Sequence, residues 1–576
     1  MKKTKKRSKK KNKFSKFLIL ALIIVTGFFI GLLFYIDLLP TKYLIMIIAG
    51  ITIIDLFNIL ILRVKNLKKK VRKVFSGFVI FWIIIMLAVS FYLCKTLGVL
   101  LNNGDSKYKL EHYSVAVLKT SKFNKIEDLK SKKIGYYKKT TGALEANEKL
   151  KEKIKVKYKS YEEPKKMLED LDKKGISAIL IEDSIKSIME EEDPDFSKKY
   201  KVIYTFKVKV ATKSTAKDVD VSKKPFVLYL SGIDTYGEIS SVSRSDVNIV
   251  LVANPKTKQV LLISAPRDYY VQLHGTKGVK DKLTHAGIYG TDMSVKTLED
   301  LLGVDINYYF KVNFNSVIDI VDVLGGLDVY SDYTFISYSG YSFKAGYNSV
   351  NGEEALDFVR TRKAFAEGDR QRGKNQQALI DAIIQKATKK SIITKYNSLL
   401  DAINGKYQTN MPSKKIMSLI KMQLNDMAKW TVTSYGLEGT DSNNYTYTYY
   451  QLLYVMEPVE ESVEQAKELI QQVLNGEKLE GSYIENTGTS NSVYKTNINS
   501  NPTPPKTEVK KEEPKKEEQK VEVKKEQETK EETENKNENL DEKENENSND
   551  EKDSTKDKDK DKEEIKAPID DIIQAN

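Results

Sequence analysis

Apolar and polar positions along the chain fall into distinct regimes. Residues 17–36 ("FLILALIIVTGFFIGLLFYI"), 43–62 ("YLIMIIAGITIIDLFNILIL") and 75–94 ("FSGFVIFWIIIMLAVSFYLC") are almost unbroken apolar runs. Each has the length, about 20 residues, of a helix that crosses a hydrocarbon core of roughly 30 Å. From Tyr108 to Val221 short apolar segments alternate with amphipathic ones. "YSVAVLKT", "KKIGYY", "KVKYKS", "ISAILIED" and "YKVIYTFKV" predict strands, and "GALEANEKLKEKI" and "EPKKMLEDLDKK" predict helices. A further α/β pattern begins near Lys224. Its "PFVLYLSGID", "DVNIVLVANP" and "QVLLISAPRD" have the continuous apolar character of strands covered on both faces. "SVKTLEDLLG" predicts a helix, and "YYFKVNFNSVIDIVDVLGGLDV" predicts strand, helix, Gly-Gly turn and strand. The pattern runs through "ESVEQAKELIQQVL" and closes near residue 480. After Tyr494 there is no aromatic residue, and Lys, Glu, Asp, Asn and Pro dominate. Such a segment buries too little apolar surface to fold.

The expected fold class is therefore α/β. A basic segment (1–16) and a three-helix membrane anchor (17–98) precede a small α/β accessory domain (108–221). A larger α/β domain (224–480), with a central sheet flanked by helices, follows. A disordered extracellular tail is expected over 481–576.

Charge refines this picture. The chain carries a net +14, which invites a nucleic-acid reading. Residues 1–74, however, hold 18 Lys or Arg against Asp37 and Asp55, a balance of +16, so the other 502 residues sum to −2. The basic surface that general DNA binding requires is absent outside the anchor, and a nucleic-acid partner is excluded. Ten cations precede the first apolar run and seven lie in "RVKNLKKKVRKV" between the second and third. The positive-inside rule puts both in the cytoplasm and everything after Cys94 outside; without disulfides, that external part suits a bacterial surface. Asp55 and Asn58, inside the second run, are expected to face neighbouring helices. Cys94 is the only cysteine, so no intrachain disulfide forms, and it is expected to pack.

Candidate chemistry concentrates in the larger domain. Asp234 follows the strand in "SGIDTYG". Arg244 and Asp246 precede a strand in "SRSDVNIV", and Arg267 follows one in "SAPRDYY". The fourth cluster, "FVRTRKAFAEGDRQRGKNQQ", holds Arg360, Arg362, Lys363, Arg370, Arg372 and Lys374. Paired carboxylates at strand ends suit Mg²⁺ or Mn²⁺, which take oxygen ligands. Arginines supply planar forks for phosphate oxygens. A helix starting at Gly368–Asp369 would set Asp369, Arg372 and Gln376 on one face, with Ile380, Ile383 and Ile384 continuing that face into the core. Arg370 and Lys374 would point to solvent. Among the three histidines there is no metal-ligand spacing, and His285 in "DKLTHAG" suits an orienting or a structural role. The expected site binds a phosphate or pyrophosphate with a divalent cation.

"SGID", "SRSDVNIVLVANP", "LLISAPRDYYV", "DKLTHA", "TLEDLLGVDINYYFKVNF", "VDVLGGLDV", "NGEEALDFVRTR" and "GDRQRGKNQQ", in that order, resemble the successive signatures of the LytR-CpsA-Psr family. The three spans and extra domain resemble its capsule-type members. The resemblance implies an extracellular phosphotransferase that moves a glycopolymer, capsule polysaccharide or teichoic acid, from a polyprenyl-pyrophosphate lipid to a peptidoglycan sugar hydroxyl. It implies Mg²⁺ on Asp234 and Asp246, and pyrophosphate on Arg244, Arg267, Arg360, Arg362 and Arg372. Gln376 joins that set, and Asp369 and Lys282 line the site. Asp234, Asp246 and Arg267 remain alternative helpers in deprotonating the acceptor. One departure is Asn375, where many members carry Arg. The sequence leaves two other functions open, a non-enzymatic regulator of polysaccharide export and a Mg²⁺-dependent lipid-pyrophosphate hydrolase. It carries no signal for oligomeric state.

Overall fold

A computed structural model of the chain describes residues 2–64, 68–102, 108–212, 214–233, 239–389, 405–481 and 483–484. Asp234 and the Lys/Glu-rich segment from 485 onward, with the expectations placed on them, lie outside the described residues.

Three long helices, α1 (Lys2–Ile36), α2 (Thr41–Arg63) and α3 (Lys69–Asn102), open the chain. Lys13–Ile36, Thr41–Arg63 and Lys70–Lys95 are long and apolar enough to cross a membrane. Leu22, Ile51, Val79 and Met86 pack between the helices, while Ile24, Phe28, Phe57 and Phe81 are exposed on the outside. That distribution suits lipid as the outer solvent. Asp55 accepts hydrogen bonds from Thr26 Oγ1 (2.6 Å) and Trp82 Nε1 (3.1 Å) and so ties α2 to both neighbours. This is the glue expected of a polar side chain between membrane helices. Cys94 is exposed rather than packed. The buried seam of α3 passes through Val79, Met86 and the partly buried Leu93, seven residues apart, and Cys94 lies one position, about 100°, around the helix.

The accessory unit is a five-stranded sheet of β1 (Tyr108–Leu118), β2 (Lys133–Tyr137), β3 (Lys157–Tyr161), β4 (Ala178–Glu182) and β5 (Tyr200–Ala211), in the order β3-β2-β4-β1-β5. The parallel β2–β3 and β2–β4 pairs need crossovers, which α4 (Ala143–Lys153) and α5 (Pro164–Asp172) supply. A helix the sequence reading omitted, α6 (Asp183–Glu192), follows β4; the one-turn α7 (Phe196–Lys199) leads into β5. Glu182 caps α6 by accepting from Ser184 N (2.9 Å) and Ile185 N (3.3 Å). Ile185, Ile188 and Met189 are buried at helical spacing, so the signal for α6 was present.

The larger sheet is built from β6 (Phe226–Ile233), β7 (Ser245–Asn254), β8 (Gln259–Ser264), β11 (Tyr308–Val312), β16 (Tyr407–Thr409), β17 (Thr431–Gly436) and β20 (Tyr483–Ile484). Its order is β16-β11-β6-β7-β8-β17-β20. Between β8 and β11 come the hairpin of β9 (Tyr270–Val271) and β10 (Asp281–Lys282), then α8 (Leu283–Tyr289) and α9 (Thr291–Leu302). After β11, α10 (Phe314–Leu324) leads to β12 (Leu327–Ser331), β13 (Phe335–Ile336), β14 (Ser342–Phe343) and β15 (Gly346–Val350), then to α11 (Gly352–Arg360) and α12 (Asp369–Ala387). Helix α13 (Ser413–Asp426) precedes β17. The β18 (Gly439–Tyr445) and β19 (Leu452–Pro458) hairpin precedes α14 (Glu460–Asn475).

Strands β6, β7 and β8 run antiparallel, yet both their faces are buried, as their apolar runs predicted. Successive side chains of a strand point to opposite faces. Val250 and Val252 therefore meet Leu298 of α9 and Leu469 and Val473 of α14, while Ile249 and Leu251 meet Ile380 and Ile384 of α12 and Leu419 of α13. Ile383 instead joins Phe335, Phe343 and Phe358, so α12 has apolar partners on two sides. Met417 of α13 packs on Leu32 and Ile36 of α1, and Lys421 pairs with Asp37. The sheet reaches Ile484, a few residues past the boundary expected at 480.

Candidate functional site

Four segments deliver charged side chains to one place. Arg244 and Asp246 flank the start of β7. Arg267 and Asp268 follow β8, Lys282 ends β10, and Asp369 to Arg372 form the first turn of α12.

Helix α12 starts where the sequence placed it. Gly368 precedes it at φ 53°, a left-handed conformation that glycine adopts without steric cost. Asp369 in the first turn faces the partial positive charge of the helix start. The helix lies unusually close to the sheet, since a Cβ on Gly373 would stand 2.9 Å from Ser264 Oγ of β8. Gln377 Nε2 donates to the carbonyls of Leu262 (3.0 Å) and Tyr435 (2.9 Å), on the neighbouring strands β8 and β17. These contacts fix the register of α12 beside the end of β8 that leads to Arg267.

Arg267 is the hub. Its Nη1 lies 3.3 and 3.2 Å from the two carboxylate oxygens of Asp246, and its Nε lies 3.3 Å from Asp268 Oδ2. Lys282 Nζ sits 3.1 Å from Asp268 Oδ1. Thr284 Oγ1 donates to Asp246 Oδ1 at 3.2 Å. Arg372 Nη2 pairs with Asp369 Oδ1 at 2.6 Å, and both Arg267 and Arg362 act on Asp369 electrostatically. The Arg267 guanidinium is held firmly protonated: burial opposes its charge, but Asp246, Asp268 and Asp369 outweigh burial. Burial likewise pushes Asp268 up, yet Arg267 and Lys282 bring it below the ordinary carboxylate range. Asp369 goes the other way. Its burial dominates, and Arg372 and Arg267 do not bring it back down.

The structure thus joins Asp246, Arg267, Lys282, Asp369 and Arg372, with Arg362 within electrostatic reach. The remaining expected residues are placed differently. Arg244 pairs with Glu191 of α6, from the accessory unit. Arg360 is exposed, its guanidinium 4.2 Å from the ring centre of Phe314. Gln376 is buried with its amide turned to the Val359 carbonyl, at 3.5 Å. Asn375 donates to the Phe358 carbonyl (3.2 Å) and accepts from Gln371 (3.0 Å). It ties α12 to α11. Arg370 lies at the solvent side, 4.0 Å from Glu438. His285 is buried with Nδ1 2.6 Å from Asp281 Oδ1, and Asp281 also accepts from Thr448 N (2.8 Å), which is the structural role. Two members were missed. Asp268 stood beside Arg267 in the sequence and could have been included, whereas Glu191 comes from helix α6 of the accessory unit.

Around the hub, Arg244, Arg267, Lys282, Arg362 and Arg372 face Glu191, Asp246, Asp268 and Asp369. The carboxylates nearly neutralise the cations, so an entering polyanion needs extra positive charge. The oxygen-only donor set suits a hard divalent cation in kind. Among the described residues no group of three or more His, Cys, Asp or Glu is arranged as a metal site, and Asp234 is not among them.

Residues 196–468 match the LytR_cpsA_psr family. The chain is 39% identical over 202 residues to the polyisoprenyl-teichoic acid–peptidoglycan teichoic acid transferase TagU of Bacillus subtilis (strain 168), covering 35% of this chain and 65% of that protein. It is 38% identical over 200 residues to TagU of Bacillus licheniformis, covering 34% and 64%. The match therefore spans just under two thirds of the length of these relatives. The crystal structure of B. subtilis TagV is 30% identical, covers 44% of this chain and 98% of that one, and superposes with a TM-score of 0.38.

Proposed function

Because residues 196–468 make this chain a member of the LytR-CpsA-Psr family, we propose that it is a membrane-anchored glycopolymer phosphotransferase acting on a polyprenyl-pyrophosphate-linked glycan, with a peptidoglycan sugar hydroxyl as acceptor. The observation that carries the proposal is the Arg267 hub, in which arginines and a lysine from three segments converge beside a helix N-terminus. Convergent planar donors of this kind grip phosphate oxygens, and the helix start favours an anion further. The relatives named as teichoic acid transferases support the glycopolymer class. Capsule polysaccharide and teichoic acid are both glycopolymers of the kind the site would accept.

In this reading Arg267, Lys282, Arg362 and Arg372 hold the pyrophosphate, joined by Arg244, which pairs with Glu191 when the site is empty. The acceptor oxygen attacks the phosphorus that carries the glycan, the bond from that phosphorus to the bridging oxygen breaks, and polyprenyl phosphate leaves. Asp369, pushed up by burial, is the described carboxylate best suited to take the hydroxyl proton. Asp246 together with Asp234 would hold Mg²⁺ or Mn²⁺, whose charge would offset that of the pyrophosphate oxygens. The cationic flanks of the three apolar helices orient the N-terminus to the cytoplasm and the sheets to the outside, next to a lipid substrate.

The test is incubation of the purified chain with a polyprenyl-pyrophosphate glycan, peptidoglycan and Mg²⁺. Glycan joined to peptidoglycan with release of polyprenyl phosphate is the expected product, and free phosphorylated glycan would instead mark a hydrolase. Asp246→Ala and Arg267→Ala each lower the rate by about 100-fold or more. Unchanged transfer by both would refute the site.

A further inference from the structure

The accessory unit grips the segment that carries Arg244. Leu110 N of β1 donates to Ser240 O (3.1 Å), and Val242 N donates back to Leu110 O (3.0 Å), so the segment entering β7 lies as a short parallel bridge on β1. Ser184 Oγ of α6 donates to Val242 O (3.2 Å), and Ser241 Oγ lies 3.2 Å from His112 Nε2. At the far end of α6, Glu191 takes Arg244 Nη1 in an ion pair. The same carboxylate feels Arg267 and Lys282. Burial would raise its pKa, but these three cations together hold it below the usual carboxylate value. Glu191 is therefore an anion aimed at the cationic cluster, supplied from outside the sheet that builds the cluster. Its side chain remains half exposed, so it can leave without opening a core.

We propose that Glu191 is a specificity-determining residue of the accessory unit, a built-in carboxylate that occupies Arg244 until a substrate phosphate displaces it. The inference rests on the pyrophosphate reading of the cluster. A ligand must offer Arg244 a stronger acceptor than a carboxylate, and a pyrophosphate diester does so with its non-bridging oxygens. Weakly charged or neutral lipids do not. Glu191 thus biases the site against lipids without a polyanionic head group, by competition rather than by shape. The hydrogen bonds of Leu110, Ser184 and His112 to the segment 240–242 keep the carboxylate in register with Arg244 when the site is empty.

The experiment measures binding of inorganic pyrophosphate to the full chain in detergent micelles at low ionic strength, with Mg²⁺ fixed. Glu191→Gln keeps the side-chain shape and removes the charge. It is expected to tighten binding about five-fold, with the gain shrinking as salt screens the pair. Arg244→Ala weakens binding, and adding Glu191→Gln to it recovers less than half of the gain seen in the wild-type background, because the main partner is gone. A carboxylate that only anchored the accessory unit would lower the melting temperature and leave pyrophosphate affinity unchanged or weaker, and that result overturns the proposal. Binding by the wild type that Arg267→Ala abolishes, with Glu191→Gln neutral, sinks this inference alone. No pyrophosphate binding by any variant sinks the phosphotransferase site with it.

Discussion

Lys311 shows how much a single residue can store. It sits on β11 between Ser231 of β6 and Gln408 of β16, almost wholly buried. Its Nζ donates to the Ser241 carbonyl at 2.9 Å, and Lys109 is a cationic neighbour. Burial first and Lys109 second bring its pKa down to about 7. A small cavity of about 30 Å³ lies against both lysines, lined also by Thr215, Gln408 and Asn410, with room for water. The pH dependence follows from the sign of the shift. Below about 7 the lysine is charged in folded and unfolded chains alike, and the full cost of burying that charge is present. Between about 7 and the ordinary value of 10.5 the unfolded chain holds a proton that the folded one lacks, so stability rises with pH. Lys311→Met is therefore expected to melt higher at pH 7, by roughly 2–4 °C for each kcal/mol recovered. The difference from wild type shrinks toward pH 10.5. A difference that stays constant across pH 7 to 10.5 would show that packing, rather than charge, governs the site.

At the scale of an element, α12 decides the geometry of the cluster. Asp369 and Arg372 are held in place by contacts farther along the helix, at Gly373, Gln377 and the isoleucines. Gly373→Val sets a branched side chain against Ser264, whose Oγ would stand 2.9 Å from the new Cβ and has to rotate away. The substitution is expected to push the helix off β8 at a cost of about 1–3 kcal/mol, read as a lower denaturation midpoint. Transfer falls with it, since a misplacement of about 1 Å can cost 100-fold. Full activity in a destabilised Gly373→Val protein would mean that the close packing is not what aligns the site. The sequence carried the start of this helix, the Gly-Asp step, and the face shared by Asp369 and Arg372. It did not carry the partner of Gln376, because helical spacing gives a direction and the carbonyl of Val359 belongs to another element.

At the scale of the molecule, the anchor and the sheets make one arrangement, with α13 resting on α1 through Met417 and pairing through Lys421 with Asp37 just past it. The orientation proposed for it is open to a direct test. Protease added to intact protoplasts is expected to cut the chain beyond Lys95, with the basic N-terminus protected. Protection of the sheets would reverse the orientation and remove an external acceptor from consideration. The same arrangement brings β1 and α6 of the accessory unit onto the segment before β7.

The sequence by itself determined the features that depend on local pattern. Three apolar runs of membrane-spanning length, the strands buried on both faces, the start of α12 and the acidic and basic residues at strand ends all follow from spacing along the chain. Helix α6 was also written there, in Ile185, Ile188 and Met189, although the sequence reading passed over it. Tertiary structure alone decided which charges meet. Arg244 and Glu191 are 53 positions apart, one just before β7 and the other on α6. Arg360 and Arg372, neighbours in one basic stretch, are parted by the turn between α11 and α12. Asn375 is occupied by a backbone carbonyl. A charge has no periodicity that names its partner, and only the folding of strands and helices onto one another brings distant carboxylates and guanidinium groups within reach.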